Sequence, residues 1–193
     1  LNTQPSAASI KTHATLPAPS EWVQRWAHLV PMGSAPGAQV GAVLDVACGT
    51  GRHLRFFHER GHPVIGLDCD TAALAAVRAA LPGATLIEAD IEHGPWPLRG
   101  RSYAGVVVTN YLWRALLPTL VQSVAPGGVL IYETFAQGNE QHGKPSNPDF
   151  LLRPGELLAA CAAGAAPLRV VAYEDVTLDN PARCVQRVAA MRD

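Results

Sequence analysis

Apolar residues along this chain gather into short runs of strand length, separated by stretches of helical period. Val43–Val46, Val64–Leu67, Ala84–Ala89, Ala104–Thr109 and Val129–Glu133 are the strand-like runs. Arg52–Arg60, the alanine-rich Thr71–Ala80 and Leu116–Ala125 lie between them and read as helices. Asp70 or Thr71 caps the second of these, and Pro82-Gly83 follows its end. Ala104–Thr109 is almost unbroken in its apolar character, as a central parallel strand is. Such alternation predicts an α/β chain with a mostly parallel, doubly wound sheet and helices on both faces.

The pattern changes at both ends. Upstream, Ser20 reads as the N-cap of a helix over Glu21–Val30, with Pro31 and Gly33 as its stop. Trp22, Trp26, Leu29 and Val30 share one face of it; Trp26 packs on the domain, and Trp22 with Arg25 is expected over one end of a bound ligand. Residues 1–19 show no period and read as a flexible arm, leaving 20–193 as a single domain. Downstream, Thr134–Arg153 is a long segment with few apolar residues, punctuated by Gly138, Gly143, Pro145 and Pro148. A loop of that length in a compact domain is usually functional, often a lid. A helix over Pro154–Ala163, with its proline at N1, comes next. Two strands, Leu168–Val176 and Ala182–Ala190, then flank Asp179-Asn180-Pro181 as an antiparallel pair.

The first strand carries the chemistry. It runs into Ala47-Cys48-Gly49-Thr50-Gly51, and a helix begins at once behind this turn. Strand, glycine turn and helix N-terminus form a mononucleotide cradle. A dinucleotide fingerprint needs a third glycine where Leu54 stands. Asp45 near the turn would repel a pyrophosphate but suits an ammonium. Asp68, closing the second strand, can accept from both hydroxyls of a ribose. A ligand with a ribose, an amino-acid ammonium and no phosphate is S-adenosylmethionine.

On Asp45, Ala47, Gly49, Gly51 and Asp68 the chain resembles the class I S-adenosylmethionine-dependent methyltransferases, whose first motif is hydrophobic-x-D-x-G/A-x-G-x-G. The resemblance implies their Rossmann-like, seven-stranded sheet, closed by the antiparallel pair. It also implies that Asp90-Ile91, after the third strand, meets the adenine, with Asp90 accepting from its amino group. Pro126-Gly127-Gly128, read as a turn into the fifth strand, recurs in that family too. Cys69 would lie beside the adenine or simply fill space. Asn110 and Tyr111, just past the fourth strand, meet cofactor and acceptor, or Asn110 fixes the turn.

Composition narrows the partners. A net charge of -1 gives no footprint for nucleic acid. The cysteines Cys48, Cys69, Cys161 and Cys184 include no C-x-x-C pair and read as reduced thiols of a cytoplasmic protein, not as metal ligands. No apolar stretch is long enough to span a membrane, and no signal peptide is evident. These features point to a small-molecule acceptor and leave the oligomeric state open. Methyl transfer from a sulfonium is an in-line displacement that mostly requires alignment and exclusion of water. If the acceptor needs a general base, Tyr111, Glu133 and His142 are the candidates, although Glu133 could instead bond backbone amides. Two rival readings are a non-catalytic S-adenosylmethionine-binding sensor or partner subunit, and a nicotinamide-dependent oxidoreductase. Leu54 and Asp45 count against the second.

Overall fold

Which face each strand residue takes decides the layering. The computed structural model describes residues 17–33 and 39–193; the expected arm lies outside them as far as residue 16. Its strands are β1 (Gln39–Val46), β2 (Val64–Asp68), β3 (Thr85–Glu88), β4 (Tyr103–Thr109), β5 (Val124–Phe135), β6 (Arg169–Asp179) and β7 (Ala182–Met191). They form one sheet of order β3-β2-β1-β4-β5-β7-β6. The β1–β2, β1–β4, β2–β3 and β4–β5 pairs are parallel, whereas β7 runs antiparallel to both β5 and β6. This is the doubly wound sheet with an antiparallel terminal pair that the pattern predicts.

Alternate residues feed two cores. Leu44, Val46, Val106, Val108, Leu130 and Tyr132 face the helices α4 (Leu117–Gln122) and α5 (Glu156–Ala162). Val43, Val107, Val129 and Ile131 face α1 (Glu21–Trp26), α2 (Arg52–His58) and α3 (Thr71–Ala80). Period-two alternation alone produces this split.

Several boundaries differ from expectation for local reasons. The Pro126-Gly127-Gly128 turn lies inside β5, which is paired with β4 on either side of it. The register slips there, from Tyr103↔Val124 to Gly105↔Val129. Gly127 takes φ +72°, and a Cβ on Gly128 would stand 2.8 Å from the Tyr103 carbonyl oxygen. α5 starts at Glu156 because Gly155, at φ +73°, is its N-cap; Pro154 lies outside it. The first helix tightens to a 3-10 turn over Ala27–Leu29.

Trp22 is a core residue. It is fully buried, and its indole N–H donates to the Val188 carbonyl at 3.2 Å. Arg25 lies over the Trp22 and Trp26 rings and pairs with Glu174. Trp22 has no surface left for a ligand and neither residue lines a cavity at the carboxyl edge, so the expectation that they cover a ligand is corrected. An indole this large gains more from the apolar layer under α1 than from a rim.

The segment after β5 is tethered rather than solvated throughout. Ala136 bridges to Leu152, and both are buried. Asn139, also buried, donates to the Pro145 carbonyl and accepts from the Cys184 N–H. Arg114 donates to the carbonyls of Asp149 and Leu151 and pairs with Glu156.

Gly51 gives the fold a sharp test. Its φ of +76° disfavours any side chain, and a Cβ would stand 2.8 Å from Val77 Cγ2. Gly51→Ala should cost about 2–4 kcal/mol, combining left-handed strain with overpacking. Urea unfolding measures it; a loss under about 0.5 kcal/mol would mean that α2 and α3 are not packed this closely.

Candidate active site at the β1–β4 crevice

The strand order reverses between β1 and β4, so the connections leaving these neighbours diverge and expose the carboxyl edge of the sheet. The residues that follow are both left-handed without being glycine: Ala47 at φ 54° and Asn110 at φ 56°. Such backbone is uncommon and clusters at functional sites. Asn tolerates it through its short polar side chain, and Ala has the smallest Cβ to strain. The Asn110 N–H donates to the Glu133 carbonyl, and the Tyr132 hydroxyl donates to the Tyr111 carbonyl, so β5 fixes this turn.

Among the described residues, cavities adjoin around this turn. One of about 250 Å³ is lined by Ala47, Asp68, Cys69, Asp90, Ile91 and Tyr111, together with Glu92 and His93. A second, of about 320 Å³, is lined by Ala47, Gly49, Thr50, Arg52, His53 and Asn110. A third, of about 230 Å³, lies between Glu92, Asn110 and Tyr111 on one side and Phe135, Pro145 and Phe150 on the other. Each pair of cavities shares a wall, at Ala47, at Asn110, or at Tyr111 and Glu92.

Asp68 is oriented before any ligand arrives. One carboxylate oxygen accepts the Gly49 N–H at 2.7 Å and the other the Asp70 N–H at 2.9 Å. A carboxylate has about four lone-pair sites, so capacity remains for two ribose hydroxyls. Nothing lies within 4 Å of a Cβ built on Gly49, whose bare backbone borders the second cavity. Asp90 is exposed, and its turn already uses it: the N–H groups of Glu92 and His93 donate to one oxygen, and the His93 ring contacts the other. Those bonds, the His93 amide foremost, hold its carboxyl below the usual range. Cys69 is exposed and lines the first cavity.

Asp45 sits one layer behind. It is 1 % exposed, lines none of these cavities, and has an oxygen with no hydrogen-bond partner. That oxygen is 3.7 Å from His53 Nδ1. Burial pushes the Asp45 carboxyl up to about 8, with Asp68 adding to the rise and Arg52 opposing it. Burial, followed by Arg52, lowers His53 to about 3, so its ring is neutral. The Ser20 amide donates to His53 Nε2, which places the ring proton on Nδ1, towards Asp45. The Ser20 hydroxyl in turn donates to Glu133, and Glu133 pairs with Arg187 at 3.2 Å.

This chain of contacts assigns positions to the candidate bases. Glu133 is 3 % exposed, is held by Ser20 and Arg187, and lines none of the three cavities. His142 is exposed on the segment after β5 and is also absent from their walls. Tyr111 does face the site. Its hydroxyl is buried without a partner, and burial, with Glu92 next, raises the phenol above its ordinary value. Sequence reasoning missed Arg52, His53, Ser20 and Glu92. His53 and Arg52 open the helix directly behind the glycine turn, which was the available signal; nothing local links Ser20 to Glu133.

An S-adenosylmethionine molecule fits these features: a carboxylate with spare acceptor capacity at Asp68, a side-chain-free approach over Gly49 and a buried carboxyl group with an unpartnered oxygen behind the second cavity. Comparisons with known proteins point the same way. A family model described as a methyltransferase domain matches residues 43–128. The chain is 30% identical over 167 residues to a malonyl-[acyl-carrier protein] O-methyltransferase of Serratia marcescens, covering 77% of this chain and 63% of that one. It is 32% identical over 115 residues to a dTDP-3-amino-3,4,6-trideoxy-alpha-D-glucopyranose N,N-dimethyltransferase of Streptomyces venezuelae, covering 52% and 47% respectively. The chain thus spans less than two thirds of the length of these relatives. A crystal structure of an S-adenosylmethionine dependent methyltransferase from Mesorhizobium loti superposes with a TM-score of 0.65 at 20% identity, covering 88% of this chain and 96% of that one, and shares the fold.

The Asp45 carboxyl generates a signed prediction. Its folded value of about 8 lies above the ordinary 3.8, so the free protein loses stability as pH rises from about 4 to about 8 and no further above that. Asp45→Asn removes this loss. Its melting temperature should match the wild type near pH 4 and exceed it increasingly up to pH 8. A parallel pair of melting curves would show that Asp45 is ionised at little cost.

Proposed function

We propose that the chain is a class I S-adenosylmethionine-dependent methyltransferase that transfers a methyl group from this cofactor to a small-molecule acceptor. The convergence of three cavities on Ala47, Asn110 and Tyr111 carries the reading, because a donor, its reacting methyl and an acceptor must meet at one point. The first cavity takes the adenosine, with Asp68 on the ribose and Asp90, Ile91 and Cys69 around the adenine. The second takes the amino-acid end: Gly49 offers its bare backbone, and Arg52 provides a cation for the carboxylate. Asp45 supplies negative charge behind His53 to balance the ammonium.

When bound, the cofactor supplies an electrophilic methyl on a positively charged sulfur. The chain's own part is to hold and orient. Asp68 keeps the ribose in register through the backbone bond that also shapes the glycine turn. Asn110 and Tyr111 form the wall shared by donor and acceptor, and their turn is braced by β5. Phe135, Pro145 and Phe150 wall the acceptor cavity with apolar surface and exclude water from the reacting atoms. Tyr111 is the remaining candidate for direct contact with the acceptor; Glu133 acts through Ser20 and His53, and His142 has no part in this scheme.

The relatives include an O-methyltransferase and an N,N-dimethyltransferase. Core motifs that bind the cofactor do not choose between them. A net charge of -1 supports a small molecule over nucleic acid. No helix among the described residues is long and apolar enough to cross a membrane. The reading takes the protein to be cytoplasmic, in keeping with its free cysteines.

Titration calorimetry with S-adenosylhomocysteine and S-adenosylmethionine tests the assignment. Asp68→Ala should weaken both by about 100-fold, the cost of hydrogen bonds to a charged acceptor. His142→Ala should leave both within about two-fold. The reverse pattern would overturn the assignment. At pH 7, titration in two buffers of different ionisation enthalpy should report proton release as Asp45 ionises in response to the ligand's ammonium in front of His53, and Asp45→Asn should abolish it.

A further inference from the structure

The acceptor cavity has a sign. Its walls combine Leu112, Phe135, Pro145 and Phe150 with the polar side chains of Asn110, Tyr111 and Thr134, and Glu92 is the charged residue among them. The cationic side chains nearby are otherwise engaged. Arg114 is bound by Glu156 and two carbonyls, and Arg52 lines the second cavity and bonds the Ala18 carbonyl and the Thr109 hydroxyl. Lys144 is exposed and is not part of these walls. Across the shared wall, Asp68 and Asp90 add further negative charge, with His93 tied to Asp90.

A carboxylate acceptor placed here would face Glu92 at short range without a compensating cation. That arrangement costs energy in a partly desolvated site. An amine meets the opposite situation. Glu92 attracts its ammonium form, and the Tyr111 hydroxyl close to Glu92 can accept one of its N–H bonds. Both groups also border the adenosine cavity, so they lie at the junction with the methyl donor.

We infer that the acceptor is a primary or secondary amine on an apolar body, held through its nitrogen by Glu92 and Tyr111. This rests on the methyl-transfer reading above and specifies its substrate class. In the reaction the ammonium gives one proton to the Glu92 carboxylate: an N–H bond breaks and an O–H bond forms. The freed nitrogen lone pair attacks the methyl carbon, and an N–C bond forms. The C–S bond breaks with its electron pair remaining on sulfur, which becomes the thioether of S-adenosylhomocysteine. Glu92 then passes its proton to water, and the methylated product departs as an ammonium. Tyr111 stays protonated throughout and orients the nitrogen.

The test uses the full chain loaded with S-adenosylhomocysteine, whose own binding is measured first. Phenethylamine and 3-phenylpropionate, alike in shape and opposite in charge, are then titrated by calorimetry. Phenethylamine should bind at least about ten-fold more tightly, as one charge-assisted hydrogen bond provides. In protein saturated with S-adenosylhomocysteine, Glu92→Gln should bring the two within about two-fold, and Tyr111→Phe should weaken the amine and leave 3-phenylpropionate unchanged. With S-adenosylmethionine, product release should be seen with the amine and not with the carboxylate. Equal or tighter binding of 3-phenylpropionate, an unchanged preference in Glu92→Gln, or binding of neither probe to the loaded protein would each overturn the inference. Failure of S-adenosylhomocysteine to bind is read separately and would overturn the methyl-transfer reading itself.

Discussion

The reversal of strand order between β1 and β4 is the constraint on which the rest of this molecule depends. Two parallel strands at the centre of the sheet send their connections to opposite faces, so no helix covers their carboxyl ends. The backbone must then turn away sharply on both sides of the gap. It does so through left-handed residues at Ala47 and Asn110, with Gly49 and Gly51 completing the first turn. Three cavities adjoin at that gap. The Leu54 side chain, fully buried behind it, uses the space that a Cβ on Gly66 would take. Glycine therefore sits on the strand side of this contact, and α2 can present a bulky residue where a dinucleotide fold needs glycine.

Behind the gap lies an unusual concentration of buried polar groups. Asp45, His53, Ser20, Glu133 and Arg187 form a line beneath the start of α1, joining the first strand to the last. All face the same side of the sheet as the Trp22 core. Ionised groups in such a place are costly unless each is paired. Glu133 and Arg187 satisfy one another, and Glu174 and Glu21 approach the guanidinium as well. Asp45 is the member left open, and its raised pKa follows directly from that. The open end of the line lies behind His53, which borders the second cavity, whereas the closed end anchors α1.

The acceptor side is built from a different material. Its outer wall combines Phe135, at the end of β5, with Pro145 and Phe150 of the segment between β5 and α5. Arg114, on the turn leading into α4, clamps that segment through backbone carbonyls. An apolar wall facing Glu92 and Tyr111 gives the cavity both a shape and a charge.

The sequence by itself determined the layered sheet, the glycine cradle and the two carboxylates associated with it. Those features are local: periodicity assigns each strand, positive φ calls for glycine, and Asp68 closes its own strand. Asp70 as cap and Thr71–Ala80 as helix were legible for the same reason. Tertiary structure decided what lies far apart in the chain. In the sequence Glu133 and His142 read as possible bases; the packed sheet delivers Glu133 to Ser20 and Arg187, and His142 stands exposed on the segment after β5. Glu92 carried no motif, and its importance comes from sharing a wall with Phe135 and Phe150, which the chain supplies from much later in its length. Backbone conformation is written residue by residue, but the pairing and burial of charge depend on which distant side chains the packed sheet brings into contact.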